Sequence, residues 1–267
     1  MKIDSLFNIQ DKVAVVTGGS RGIGEMITAG FLANGTKVYI SARKAPALID
    51  KAKELSDKYN QECIPIVCDL SSMEGIQEFT DKIHEKEKGI DFLINNAGAA
   101  WGEPLESFSE DGWDKVMDLN VRSLFFLTQK FKNLLSNNAS DEDPSRVINI
   151  GSIDGLNVPS LESYAYGASK AAVHHLTRVQ AKRLVRENIL VNAIAPGPYE
   201  SMMLGAAVNH DYSLIESRNP RKRIGSPEDI AGLAIFLCSR AGAYTVGAVI
   251  PSDGGLVGTA GHDLSQI

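Results

Sequence analysis

Seven short, mostly apolar and β-branched runs punctuate this chain, at Lys12–Thr17, Lys37–Ser41, Cys63–Cys68, Ile90–Asn95, Arg146–Gly151, Ile189–Ile194 and Ala248–Ile250. Their apolar residues are continuous rather than alternating, which is the pattern of strands buried on both faces. Helical periodicity fills the stretches between them, over 22–34, 47–58, 73–86, 111–135, 163–186 and 227–238. A chain that alternates in this way buries its strands as a parallel sheet with helices on both sides. The expectation is therefore α/β, a doubly wound sheet of about seven strands. No Pro/Ser linker or repeat divides the 267 residues, so one domain is expected. Residues 196–224 read as irregular, long enough to cover a substrate.

The first strand runs directly into Thr17-Gly18-Gly19-Ser20-Arg21-Gly22-Ile23-Gly24, and a helix follows. Glycines at this junction let the backbone turn tightly against a pyrophosphate, while the helix start offers its unpaired N–H groups. Dinucleotide binders that recognise a ribose 2′-hydroxyl place a carboxylate at the end of the second strand. Here that position reads Tyr39-Ile40-Ser41-Ala42-Arg43, without one. Arg43 and Arg21 instead suit a 2′-phosphate, which guanidinium groups grip as a fork. The expected cofactor is NADP(H).

Tyr166-Gly167-Ala168-Ser169-Lys170 sets a phenol and an ammonium at i and i+4, on one helix face. The ammonium is expected to favour the phenolate and lower the Tyr pKa from about 10. Ser152 closes the fifth strand, at the carboxyl end that faces the crevice of such a fold. Adjacent His174 and His175 point about 100° apart on a helix. No carboxylate or cysteine cluster accompanies them, so no metal site is expected.

Taken together, Thr17-Gly18-x-x-x-Gly22-x-Gly24, Asn95-Asn96-Ala97-Gly98, Asn120, Ser152, Tyr166-x-x-x-Lys170 and Pro196-Gly197 resemble the short-chain dehydrogenase/reductase family. The match spans nearly the whole chain in the family's order. It implies a Rossmann-type NADP-binding domain over 1–267, with an N-terminal tail at 1–11, a substrate loop at 197–224 and a C-terminal tail at 256–267. It also implies carbonyl–alcohol redox chemistry. Tyr166 would be the general acid in reduction, Lys170 its pKa partner and ribose anchor, and Ser152 the hydroxyl that positions the carbonyl. Asn120 would hold a water on the way to Lys170. Cofactor contacts would come from Gly18, Ser20, Arg21, Gly22, Ile23, Gly24, Arg43, Asp69, Leu70, Asn96, Ala97, Gly98, Tyr166, Lys170, Pro196 and Gly197. Many relatives place a Thr three or four residues after the Pro-Gly pair. This chain has Pro198-Tyr199-Glu200-Ser201, so Ser201 would serve there.

Within the family, Ala99-Ala100-Trp101-Gly102, Tyr164-Ala165-Tyr166-Gly167 and Asp253-Gly254-Gly255 are similar to 3-oxoacyl reductases of the rhamnolipid-associated type. The implied substrate is a small carbonyl compound, such as a 3-oxoacyl group on an acyl carrier protein or CoA. Alternatives are a sugar-acid, polyol or diketone oxidoreductase, or a non-catalytic NADP-binding regulator. A nucleotide-sugar epimerase would need a C-terminal substrate domain for which there is no room. Trp101, Leu105, Leu156, Val158, Tyr199, Met202, Met203 and Leu204 are candidates for an apolar pocket. Arg178, Lys182, Arg183 and Arg186, with Arg221-Lys222-Arg223, could meet an acidic carrier. The resemblance also implies a homotetramer or homodimer, with the helices at 111–135 and 163–186 forming one interface and the C-terminal helix and strand another.

The formal charge of −6, from 27 basic and 33 acidic residues, argues against nucleic acid as a partner. Cys63, Cys68 and Cys238 are too few for a disulfide framework and fit a reducing compartment. No signal peptide or membrane span is visible, which makes the cytoplasm the expected location.

Overall fold

Successive side chains of β1 (Val13–Thr17) point to opposite faces of a sheet, and both faces are dry. Ala14 and Val16 join one apolar cluster, and Val15 joins another. The first is closed by Phe31 of α2 (Gly22–Ala33), Leu48 of α3 (Ala45–Tyr59) and Leu237 of α10 (Pro227–Cys238). The second is closed by Phe79 of α4 (Met73–His84), Phe131 of α6 (Ser123–Asn138) and Leu184 of α7 (Tyr164–Leu184). Burial on both sides is why the strand segments read as continuous apolar runs. The computed structural model describes residues 2–159, 161–207, 209 and 211–259.

The remaining strands are β2 (Lys37–Ala42), β3 (Cys63–Val67), β4 (Phe92–Asn95), β5 (Ser145–Ile150), β6 (Ile189–Pro196) and β7 (Val249–Ser252). They form one parallel sheet in the order β3-β2-β1-β4-β5-β6-β7. The chain moves outward from β1 to β3 and then returns to lay β4 on the other side of β1. The strand order therefore reverses between β1 and β4, and the carboxyl ends of these strands flank the crevice that such a reversal opens. Residues 17–24 and 95–98 meet at that point.

Three segments differ from expectation. The helix expected at 111–135 is α5 (Glu110–Met117) and α6 joined by a π-helical segment, Asp118–Arg122. Asn120 sits in that wide turn with its side chain tied to neighbouring elements, a tertiary constraint with no local signal. The stretch at 196–224 is not wholly irregular, because it contains the short helices α8 (Met202–Ala207) and α9 (Ser213–Arg218). The N-terminal tail opens with one helical turn, α1 (Ile3–Leu6), and is anchored further on. Ile9 is buried, and its carbonyl accepts from Thr36 Oγ1 at 2.7 Å. In the C-terminal tail, residues 260–267 lie outside the described residues.

One charge is buried in the core of the sheet. Arg146 of β5 is 1% exposed. It donates from Nε to the Leu237 carbonyl at 3.1 Å, from Nη2 to Ser239 at 3.2 Å and from Nη1 to Pro144. The guanidinium thus satisfies carbonyls at the end of α10, where the helix dipole favours positive charge. Arg146→Met should cost about 3 kcal/mol, because it strands buried acceptors. Urea unfolding should show a lower midpoint at an unchanged slope, and an unaltered midpoint would count against this role.

Candidate active site

The glycine turn is shaped by close approach. Gly18 and Gly22 hold positive φ, at 65° and 53°, which side chains with a Cβ rarely adopt. A Cβ on Gly24 would run into the Gly18 carbonyl and Asn96 Nδ2. The N-cap of α2, Arg21, makes no side-chain capping bond. The first N–H groups of the helix, on Gly22, Ile23 and Gly24, are therefore left for an anion. A dinucleotide pyrophosphate fits this cradle by geometry and by charge.

Asn96, expected both at the cofactor and as a support of the sheet, turns its side chain inward. Its Nδ2 donates to the carbonyls of Thr17 at 2.8 Å and Gly18 at 3.2 Å, so it braces the turn from beneath. The Thr17 hydroxyl accepts from the N–H groups of Asn96 and Ala97, both at 2.9 Å. Ser41 accepts from Gly18 N–H at 3.3 Å. Thr17 and Ser41 are thus part of the site's support. Gly98 is exposed and approaches Asn120, while Ser20 is half-buried in the turn.

The rim of the turn carries the two arginines. Arg43 is 64% exposed and stands 4.0 Å from Asp69. Arg21 Nη1 lies 3.3 Å from the Met202 sulfur on α8, so the two guanidiniums are engaged in different directions. Asp69 Oδ1 accepts from the N–H and hydroxyl of Ser71, at 3.0 and 2.8 Å. Partial burial opposes ionisation of this carboxyl. The Ser71 bonds and Arg43 outweigh burial and hold its pKa below the usual value. Leu70, expected at the cofactor, turns its side chain into the second core cluster. Pro196 ends β6, and Gly197 packs directly against the backbone of Asp253. The Ser201 hydroxyl accepts from Leu204 N–H at 3.1 Å, capping α8, and Ser201 Cβ faces Gly22.

On the other side of the crevice, Ser152 follows β5, and Tyr166 and Lys170 share one face of α7. Ser152 accepts from Asp154 N–H at 3.1 Å, and its hydroxyl lies near enough to the Tyr166 phenol to oppose the upward shift of its pKa. Lys170 is 6% exposed. Its Nζ donates to the Ile150 carbonyl at 2.8 Å and lies 5.5 Å from the centre of the Tyr166 ring. The expected lowering of the Tyr166 pKa is corrected here. Burial pushes the phenol up to about 12, against the opposing bond from Ser152. Burial likewise pulls Lys170 down to about 8, although Asp154 favours its charge. Burial disfavours the charged form of each, yet Tyr166 stays neutral and Lys170 stays largely charged at neutral pH.

Asn120 Nδ2 donates to the Ala99 carbonyl at 3.0 Å and to Ser169 Oγ at 2.9 Å, and its Oδ1 accepts from Ala99 N–H. Both side-chain donor hydrogens are therefore committed to holding the 97–99 loop against α7. Ser169 in turn donates to the Tyr166 carbonyl at 2.7 Å. Ser169 is the hub of this contact and is legible only as the residue beside Lys170 in the Tyr–Lys motif.

Leu156, Val158, Leu161 and Tyr164 line a groove of about 510 Å³ along the flank of α7, together with Asp154. Tyr199, expected in an apolar pocket, is buried in the core and bonds Ser252 at 2.6 Å. Trp101 packs over Gly112 with Lys115 above its ring. Met202 is exposed, and the Met203 side chain lies outside the described residues. Of the basic groups, Arg183 pairs with Glu187 and Arg223 with Asp229. His174 is buried and His175 exposed. Among the described residues, no three His, Cys, Asp or Glu gather as a metal site, and no helix is long and apolar enough to cross a membrane.

Residues 18–257 match a family model described as enoyl-(acyl carrier protein) reductase. The chain is 47% identical over 251 residues to the rhamnolipids biosynthesis 3-oxoacyl-[acyl-carrier-protein] reductase of Pseudomonas aeruginosa, covering 93% of this chain and 97% of that one. It is 34% identical to the 2-dehydro-3-deoxy-D-gluconate 5-dehydrogenase of Escherichia coli, over 94% of this chain and 97% of that one. The solved Pseudomonas aeruginosa RhlG/NADP active-site complex superposes with a TM-score of 0.90 at 46% identity, over 95% of this chain and 99% of that one.

Proposed function

The chain belongs to the short-chain dehydrogenase/reductase family, and from that premise we propose that it reduces the keto group of a 3-oxoacyl thioester with NADPH. The observation that carries this reading is the joining of Ser152, Tyr166 and Lys170 at the carboxyl end of β5, across the crevice from the glycine turn. NADPH, when bound, supplies the hydride. The chain's part is to hold the carbonyl and deliver a proton.

The Ser152 hydroxyl is fixed by Asp154 N–H and stands beside the phenol, where it can orient the carbonyl oxygen. Tyr166 retains its proton at neutral pH because burial disfavours the phenolate, and Oη passes that proton to the carbonyl oxygen. The charged form of Lys170 then stabilises the phenolate left behind. Asn120 and Ser169 act at one remove, by holding the 97–99 loop and the start of α7 in place. The N–H groups of 22–24 would take the pyrophosphate and Arg43 the 2′-phosphate, assisted by Arg21 after it leaves Met202.

Leu156, Val158 and Leu161, exposed beside the site, favour an acyl substrate over a sugar acid, which would call for hydrogen-bond donors at that rim. The similarity to a gluconate-type dehydrogenase keeps the sugar-acid reading as the alternative. NADPH consumption should be at least about tenfold faster, as kcat/KM, with acetoacetyl-CoA than with diacetyl or a keto-gluconate, about 1.4 kcal/mol of discrimination. Preference for the keto-gluconate would overturn the thioester assignment.

The exposed stripe of Tyr164, Ala168, Ala171, His175 and Val179 on α7, with Phe125 on α6, supports assembly into a homodimer or homotetramer through these helices. Arg178, Lys182 and Arg186 remain as a basic face for an acidic carrier protein. A cytoplasmic location goes with three buried, unpaired cysteines.

A further inference from the structure

His174 takes no part in the proton transfer, yet it is packed against the segment that carries Ser152. It is 2% exposed and lies on α7 one turn beyond Lys170, which is itself one turn beyond Tyr166. The three side chains form one stripe on the helix face that meets the end of β5. Lys170 holds the Ile150 carbonyl at 2.8 Å, and the His174 ring lies against the next residues of the chain, from Gly151 to the 3-10 turn Ile153–Gly155.

Two glycines bracket Ser152. Gly151 N–H donates to the Ile194 carbonyl at 2.7 Å, and Gly155 N–H donates to the Ser152 carbonyl at 3.0 Å. Neither glycine has a positive φ, so backbone conformation does not call for glycine at either place. Space does. A Cβ on Gly151 would overlap His174 Nε2 and stand 2.7 Å from Cδ2, whereas its next neighbour, the Ile194 carbonyl oxygen, is at 3.3 Å. A Cβ on Gly155 would stand 2.8 Å from His174 Cε1, and also 2.6 and 2.7 Å from the backbone of Lys170 and Ala171. The imidazole is thus what bars a side chain at 151, and it touches both ends of the segment that holds Ser152. The ring lies beside the Gly155 backbone, yet neither nitrogen meets a partner at hydrogen-bonding geometry among the described residues. It acts there by its shape.

We propose that His174 is a positioning residue: its ring seats residues 151–155 against α7 and so fixes where the Ser152 hydroxyl meets the substrate carbonyl. The inference rests on the reading that Ser152 orients that carbonyl. A close-packed interior passes on a change of size at one side chain to its neighbours. Here the neighbour is the backbone on either side of Ser152, and the helix on which the ring sits also carries Tyr166.

The test is a set of variants at 174 and 151, assayed with acetoacetyl-CoA at a temperature where circular dichroism shows each to be folded. His174→Ala removes the seat and should lower kcat about 10–100-fold, with the KM for NADPH within about twofold because the turn at 18–24 is untouched. His174→Met, an apolar chain of similar reach, should bring kcat back to within about threefold of wild type. Gly151→Ala should lower kcat about 100-fold, and adding His174→Ala should raise it again about tenfold by making room for the new methyl. Crystal structures of wild type and His174→Ala should show the Ser152 hydroxyl displaced. An unmoved Ser152, an unchanged kcat in His174→Ala, or a double variant no better than Gly151→Ala overturns the proposal. So does a kcat in His174→Met as low as in His174→Ala, which would give the role to the ring nitrogens. Should Gly151→Ala fail to fold, recovery of folded, active protein in the double variant reads the same relief, and failure of both overturns the proposal. If the wild type reduces no carbonyl compound, the functional reading fails, while the crystal comparison still decides whether the ring seats Ser152.

Discussion

Tyr166→Phe should lower kcat by about 10³–10⁴-fold while leaving the Kd for NADPH within about twofold of wild type. The substitution deletes one oxygen. The ring stays in its place on α7, and the cofactor cradle at residues 18–24 lies on the other side of the crevice. What is lost is the proton donor that stands beside Ser152. Isothermal titration with NADPH and steady-state rates on acetoacetyl-CoA separate the two effects. Residual activity above about a tenth of wild type would place the acid elsewhere.

The pH profile of the wild type follows from the same pocket. Tyr166, held up near 12, keeps its proton through the neutral range and does not itself limit reduction there. Lys170 is charged below about 8 and loses its charge as pH rises through that value. Reduction, which needs the ammonium to stabilise the emerging phenolate, should therefore be flat at neutral pH and fall on the basic side near 8. A limb that falls toward acid instead would contradict this order of titration.

The sheet was legible because its strands are buried on both faces, so that burial is written as unbroken apolar runs. Strand starts such as Lys37 and Cys63 could be read directly, as could the span of α10 from Pro227 to Cys238, whose capping box at Ser226 is seen only in the structure. The π-helical turn at 118–122 could not be read, because Asn120 is held by bonds to Ala99 and Ser169 that come from distant segments. Leu70 shows the same limit. Beside Asp69 it reads as a cofactor neighbour, while alternation turns its side chain into the core and leaves its backbone for that role. The direction of the Tyr166 shift is hidden from the sequence for a related reason. Helical spacing shows that Lys170 is near, and says nothing of how deeply both groups are buried.

Arg43→Ala should raise the KM for NADPH by about 10–100-fold and change the KM for NADH by less than about twofold, with kcat preserved. The register of the sheet explains why this side chain decides. Thr17 pairs with Ser41, so the residue two beyond Ser41 stands at the rim of the glycine turn. Ser41 fixes that relation through its bond from Gly18 N–H. No carboxylate ends β2. The nearby Asp69 ends a different strand connection and is already occupied by Ser71. A charge-assisted bond to a 2′-phosphate is worth about 1.5–3 kcal/mol, which is the tenfold to hundredfold range expected. Because Arg43 is exposed, the penalty should shrink as salt is raised. Arg43→Asp should go further and bring NADH above NADPH in kcat/KM, since its carboxylate would repel the phosphate and accept from a ribose hydroxyl. Arg21→Ala is the informative contrast. Its guanidinium rests on Met202, so its loss should also loosen α8 and lower kcat. Comparable kcat/KM for NADH and NADPH in the wild type, or an unmoved NADPH KM in Arg43→Ala, would remove Arg43 from cofactor recognition.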